Sequence, residues 1–203
     1  MNSRSAGVIA CLLLLSSCAA PEEWRTVTDK TGEYKVDLPA DPQDIARTAD
    51  ADGLEISVIG KLCEIDNGYI SCGVTVSTFP DEFLKDVDAS VLLHAVSDQL
   101  DASLDKVEVT ENPETEFDGF PARMCVATAG EAPKQDRITY RAVKVGNRVY
   151  MQILAETSGR RLPPKSRERF LNSFEITAAK PTVETKSKAP DQTPTEPAKA
   201  ETP

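Results

Sequence analysis

Apolar and polar residues alternate along most of this chain, and the alternation predicts antiparallel strands interrupted by one long helix. Tyr34, Val36 and Leu38 alternate with charged residues, the period of a strand buried on one face, and Pro39 and Pro42 end it. Residues 44 to 53, rich in Asp and Ala, read as a loop or weak strand leading into Leu54, Ile56 and Val58. Asn67-Gly68 lies between two β-rich runs, and both residues tolerate the positive φ that a two-residue hairpin loop demands. With that loop, Ile65 faces Ile70 and Cys63 faces Cys72. The period turns helical over residues 88 to 104, where Leu92, Val96, Leu100 and Leu104 form one stripe and Asp86 or Asp88 suits the N-cap.

Strand periods then return. Val107 and Val109 precede a break at Asn112-Pro113, and Asp118, Gly119 and Pro121 form a turn before a strand over residues 122 to 129. Gly146-Asn147 joins two long runs as a second hairpin. Pro163 and Pro164 suit a helix start, and Phe170, Leu171 and Phe174 bury that short helix and a final strand. Seven or eight strands with two helices predict an α+β domain, an antiparallel β-sheet flanked by helices.

Both ends depart from this pattern. Arg4 followed by an apolar run ending at Leu15 is a signal-peptide arrangement, too short for the about 20 apolar residues that span a bilayer. Leu15, Ser16, Ser17 and Cys18 resemble a bacterial lipobox, so residues 1 to 17 are expected to be a lipoprotein signal peptide and Cys18 the lipidated first residue. An ordinary secretory signal cut after Ala19 or Ala20 is the alternative. Residues 18 to 23 form a tether, 24 to 177 the domain. Two or more acyl chains on Cys18 anchor stably, each buried methylene contributing about 0.8 kcal/mol. The expected address is the bacterial cell envelope; in a host with two membranes, Ala19 after the cysteine points to the outer membrane, facing the periplasm. Residues 178 to 203 hold five prolines, Val183 as their one large aliphatic, and no aromatic, so they are expected to be a disordered tail.

Charge narrows the partners. The chain carries a formal −10, and removing residues 1 to 17 with Arg4 leaves −11. Such a surface is expected to repel nucleic acid and anionic lipid headgroups. Export also places Cys63 and Cys72 in an oxidising compartment, and the hairpin register brings their Cα atoms to roughly 4.5 Å, within reach of a disulfide. Two reduced, packed cysteines, or a swap involving Cys125, are the alternatives. Cys125, among Met124, Val126 and Ala127, reads as a buried structural thiol.

No chemical motif survives inspection. Setting Gly53 at the fixed glycine of a calcium loop puts Thr48 at the first ligand position and Ile59 where the bidentate Glu belongs, so Asp50 and Asp52 read as a solvated acidic turn. Zinc spacing is missing, and His94, the one histidine, falls on the polar face of the predicted helix. No catalytic residue, metal or cofactor is expected; acidic pairs remain open, because sequence does not say which carboxylates share a cleft.

Gly32-Glu33-Tyr34-Lys35-Val36-Asp37-Leu38-Pro39, then Asp118-Gly119-Phe120-Pro121-Ala122, then Asn147-Arg148-Val149-Tyr150-Met151, then Phe170 to Phe174 resemble, in that order, the PsbP-like superfamily. That superfamily includes photosystem II extrinsic proteins and small bacterial lipoproteins. The resemblance, over about residues 25 to 177, implies a central antiparallel sheet between helices. It implies no catalytic site, since the matched residues are turn glycines, turn prolines and core aromatics, and nothing matches the metal or photosystem contacts of the plant members. The expected function is a membrane-anchored, non-catalytic binding or assembly module, attached to the bilayer through acylated Cys18 and engaging an envelope protein. Alternatives are a small-molecule binder using a groove between helix 88 to 104 and the sheet, and a hydrolase of unrecognised kind.

Overall fold

A computed structural model describes residues 23–51, 54–84, 87–102, 107–111 and 113–178. Its strands are β1 (Arg25–Asp29), β2 (Tyr34–Leu38), β3 (Gln43–Ala51), β4 (Leu54–Ile65), β5 (Ile70–Thr78), β6 (Val107–Glu111), β7 (Glu114–Phe117), β8 (Phe120–Ala129), β9 (Asp136–Val145), β10 (Arg148–Glu156) and β11 (Glu175–Ile176). The helices are α1 (Asp81–Leu84), α2 (Ala89–Ala102) and α3 (Pro164–Asn172). The domain is therefore more β-rich than the expected helix-flanked α+β arrangement. Cys18, the signal peptide, the tether up to Glu22 and the tail from residue 179 lie outside the described residues.

One eight-stranded sheet runs β3-β4-β5-β10-β9-β8-β6, with β7 also paired to β8, and a three-stranded sheet runs β1-β2-β11. Every pairing is antiparallel. Hairpin chemistry sets the registers: Cys63 faces Cys72, Val145 faces Arg148, and Phe117 faces Phe120. The first hairpin turns through four residues, 66–69, where a two-residue loop was expected, because Asp66 joins Asn67 and Gly68 at positive φ and the Tyr69 carbonyl accepts from Thr157 instead of completing the ladder.

Because side chains alternate across a strand, each long strand feeds two cores. On β10, Tyr150 and Leu154 enter the core shared with β1, β2, β11 and α3, which also holds Val36, Val74 and Phe170. Val149 points the other way, into the core under α1 and α2 with Phe79, Leu92 and Leu93. The large sheet is thus a middle layer, covered by the small sheet and α3 on one side and by α1 and α2 on the other.

Two features of the small sheet follow from single residues. Asp29 accepts hydrogen bonds from Thr31 N at 2.9 Å and Gly32 N at 2.8 Å, which shapes the β1–β2 turn. A Cβ at Gly32 would stand 2.6 Å from the Tyr34 ring, so only glycine lets the turn fold over that ring. On the opposite face, Asp88 caps α2 as expected: its carboxylate accepts from Ser90 N at 2.8 Å and its carbonyl from Leu92 N at 3.1 Å.

Candidate functional site

The best-built polar cluster sits beneath α3. Period-two alternation puts Gln152 and Glu156 on the same face of β10 as Tyr150 and Leu154, so two polar side chains enter an apolar core. Glu156 is 1% exposed; it accepts from Leu162 N at 2.8 Å and from the Arg167 guanidinium at 2.7 Å. Arg167 also donates to the Thr139 hydroxyl at 2.6 Å. Desolvation lowers the Arg167 pKa, with Arg137 adding to the effect and Glu156 opposing it. At the other end of the helix, Gln152 donates to the Phe170 carbonyl at 2.8 Å. Arg141 donates at 3.1 Å to both Gln152 and the Leu171 carbonyl, with its guanidinium 4.4 Å from the Phe117 ring centroid. Burial lowers the Arg141 pKa in turn.

Chemically, this cluster is a clamp. It satisfies carbonyls near the end of α3 and an amide before its start, groups that a helix leaves unpaired by itself. From sequence, Arg141 and Gln152 stand out only as polar positions in the second hairpin, with no role attached. Their signal was nevertheless present: Tyr150, Gln152, Leu154 and Glu156 share one parity, so two polar residues had to be buried and partnered.

The cysteine pair stands 3.2 Å apart, sulfur to sulfur, across β4 and β5. The hairpin register thus delivers the expected juxtaposition, yet the structure holds two thiols at contact distance, not the expected bridge, whose bond is about 2.05 Å. The hydrogen bond with Cys72 lowers the Cys63 thiol pKa, against the opposing effect of burial. Cys125 is buried as expected, and it packs with Ala127 and Tyr140 on the opposite face of the sheet, which removes it as a swap partner.

The expected groove between α2 and the sheet is only a notch of about 70 Å³, lined by Ser90, Leu93, Glu114, Thr115, Ala122 and Arg123. A ligand pocket typically needs about 300 Å³ or more, and beside the described part of α2 Leu92 and Leu93 are buried against the core; the far half of the expected groove, from Leu100 to Leu104, lies outside the described side chains. A larger cleft of about 440 Å³ opens elsewhere, between the end of β1 and the β3–β4 edge. Thr28, Asp29, Lys30, Ile45 and Ile59 line it, and Lys61 pairs with Asp44, its cross-strand neighbour, on the β3–β4 edge. The Tyr34 hydroxyl lies buried near that wall, its pKa raised by desolvation first and by Asp29 and Asp44 after it.

His94 is on the wet face as expected, 3.6 Å from Asp98. Among the described residues, no three His, Cys, Asp or Glu side chains converge as a metal site. The acidic stretch read as a turn is mostly strand, with Thr48 facing Ser57 and Asp50 facing Glu55.

The domain has a PsbP-like fold, the fold that the turn and core residues implied. Cyanobacterial PsbP (CyanoP) from Synechocystis sp. PCC 6803, known from a solution structure, matches with a TM-score of 0.51 and 16% identity over 80% of this chain and 98% of that one. At that identity the likeness speaks for the fold alone. A Pseudomonas aeruginosa protein of unknown function matches at TM-score 0.34 with 11% identity, over 66% of this chain and 83% of that one. A Bacteroides thetaiotaomicron structure matches at 0.41 with 10% identity, over 75% and 48%. Neither carries argument at those scores. No family model and no curated protein sequence matches the chain.

Proposed function

We propose that this chain is a lipid-anchored envelope protein whose PsbP-like domain binds a protein partner and catalyses no reaction. One observation carries the reading: the buried polar side chains that could do chemistry, Glu156, Arg167, Gln152 and Arg141, are each committed to holding α3 on the sheet. They supply scaffold, and Arg123, a further buried charge among the described residues, is paired with Glu114 at 3.7 Å. The anchor is Cys18 of the Leu15–Cys18 lipobox, in the envelope of a bacterium, and in a two-membrane host on the periplasmic side of the outer membrane.

The test has two arms. Mass spectrometry of the processed protein is expected to find a diacylglyceryl group on Cys18, with the protein in the detergent phase of a phase-separating extract. Crosslinking and affinity purification from its own membranes is expected to recover one envelope protein in stoichiometric amount. Turnover of any substrate, abolished by a point substitution in the β1–β3 cleft, would overturn the non-catalytic reading. That cleft favours a second reading, capture of a small polar ligand between Asp29, Lys30 and Asp44. A thermal shift with a small-molecule panel, lost in Asp44→Ala, checks it.

A further inference from the structure

Strand β2 gives the domain an axis with two unlike ends. Arg25 faces Leu38 and Ile176 faces Tyr34, so the chain enters at one end of β2 and leaves at the other. The entry end is built from the 66–69 turn and the loops over 130–135 and 157–163. Hydrogen bonds tie these together: Tyr69 O accepts from Thr157 N at 2.8 Å, Asp136 from Ser158 N at 2.7 Å, and Gln135 O from Arg161 at 2.8 Å. Trp24 and Leu162 pack against the same core beneath them.

The chemistry of the two ends differs. At the entry end, the Arg169 guanidinium lies 4.2 Å from the Trp24 ring centroid, Lys165 stands one turn before it, and Arg160 lies over Tyr69 at 5.6 Å. Among the described residues, Lys134, Arg137, Arg161 and Lys165 have no carboxylate within 4.0 Å. Acids are present too, and Glu64, Glu131 and Glu168 are equally uncommitted, so this end is near neutral in a chain of −10. The far end gathers Asp29, Glu33, Asp81, Glu82, Glu116 and Asp118 around the turns, against Lys30, Lys144 and Arg148, the last pairing with Glu33 at 2.7 Å. Its balance is acidic.

Resting on the reading of Cys18 as lipidated, we infer that the domain docks end-on: the Trp24–Tyr69–Lys165 end sits on anionic phospholipid headgroups, and the acidic end points away. Cys18 lies six residues before Trp24, a span of at most about 20 Å, so the tether holds this end within reach of the surface. A nine-residue strand such as β5 is about 30 Å long, against a screening length of about 10 Å in 0.1 M salt. Only the end that touches the bilayer therefore feels its charge. The inverted pose would bring the acids into the repulsive layer, whereas the inferred pose offers lysines, arginines and two amphipathic aromatic rings to the headgroups. The same pose leaves the β1–β3 cleft and the chain exit after Ala178 facing a partner.

The test uses the full lipidated protein in phosphatidylglycerol-containing vesicles carrying a headgroup quencher. Cys63, Cys72 and Cys125 are buried, so a fluorophore labels an added surface cysteine selectively. Glu131→Cys reports the entry end and Glu82→Cys the far end, each removing one exposed acid. The expected result is a blue shift and strong quenching at position 131 with neither at 82, and a loss of that quenching in the K134E/K165E background. Equal quenching at both positions, stronger quenching at 82, or quenching at 131 that K134E/K165E leaves unchanged overturns the docking pose. Unmodified Cys18, scored on the same sample by mass, overturns instead the anchor on which the pose rests.

Discussion

Glu156 is the residue whose loss the domain should feel most. Replacing it by Ala removes the acceptor of Leu162 N and the partner of Arg167 together, while Arg167 itself stays 17% exposed in its side chain. Breaking a buried pair by deleting one partner costs about 3 to 5 kcal/mol, and an amide left without its acceptor about 1 to 3 kcal/mol. The two overlap, and partial exposure lets water reach Arg167, so about 4 kcal/mol is expected for the variant. For a domain of this size each kcal/mol lowers Tm by about 2 to 4 °C, which gives a fall of about 8 to 16 °C in a thermal melt followed by circular dichroism. Glu156→Gln keeps an acceptor for Leu162 N and is expected to lose about half as much. Arg167→Met tests the mechanism, because removing both charges leaves no buried ion unpaired; the double variant E156A/R167M should be clearly less destabilised than the sum of the singles. A Tm within about 2 °C of the parent for E156A, or effects that add to within about 0.5 kcal/mol, would refute the clamp.

Further outcomes follow from the same contacts. Burial raises Asp37, but hydrogen bonds from Thr26 and Arg169 outweigh it and hold the carboxyl below its usual value. The stability this contributes is complete above the unfolded pKa of about 3.9 and is lost as pH falls through the lower folded value, so Asp37→Asn should flatten the stability–pH slope below about pH 4 and leave it unchanged above pH 5, read by urea melts. Under oxidising conditions Cys63 and Cys72 are expected to lose two hydrogens by mass and to gain about 2 to 3 kcal/mol over the reduced protein; an intact thiol count on exported protein would exclude the bridge. Deleting residues 179 to 203 should move Tm by no more than about 2 °C if that segment adds no packed surface.

What the sequence made legible was local. Asn67-Gly68, Asp118-Gly119 and Gly146-Asn147 each place positive φ in a short turn, and once the turn is placed every cross-strand pair follows, Cys63 opposite Cys72 included. Strand β3 reads only as a loop or weak strand because Asp and Ala have little β preference and the strand is an exposed edge, held by pairing with the twelve-residue β4. The small sheet was hidden for another reason. Strand β11 is two residues long and joins β2 across more than a hundred residues of chain, a contact with no local signature. For the α2 groove, a pattern of apolar residues predicts which face packs, not how much space packing leaves.

The buried polar side chains under α3 bear on why the domain holds one arrangement. One face of the large sheet is covered by two different layers, the β1-β2-β11 sheet and α3, and apolar contacts alone would let a nine-residue helix slide along a surface of Val, Leu and Tyr. Glu156 and Gln152 sit four residues apart on β10, one receiving the start of the helix and the other its end, so a shift by a single turn would strand both in the core. Arg169 and Ser173 then fix the far side by bonding Asp37 of β2 at 2.9 Å each. The helix is thereby keyed to both sheets at once. Because Trp24 rests on Arg169, the point where the chain enters the domain is keyed to them as well. A variant that loosened α3 should for that reason also change how the domain stands on its anchor, and E156A, melted partway, is the case in which the two effects can be read together.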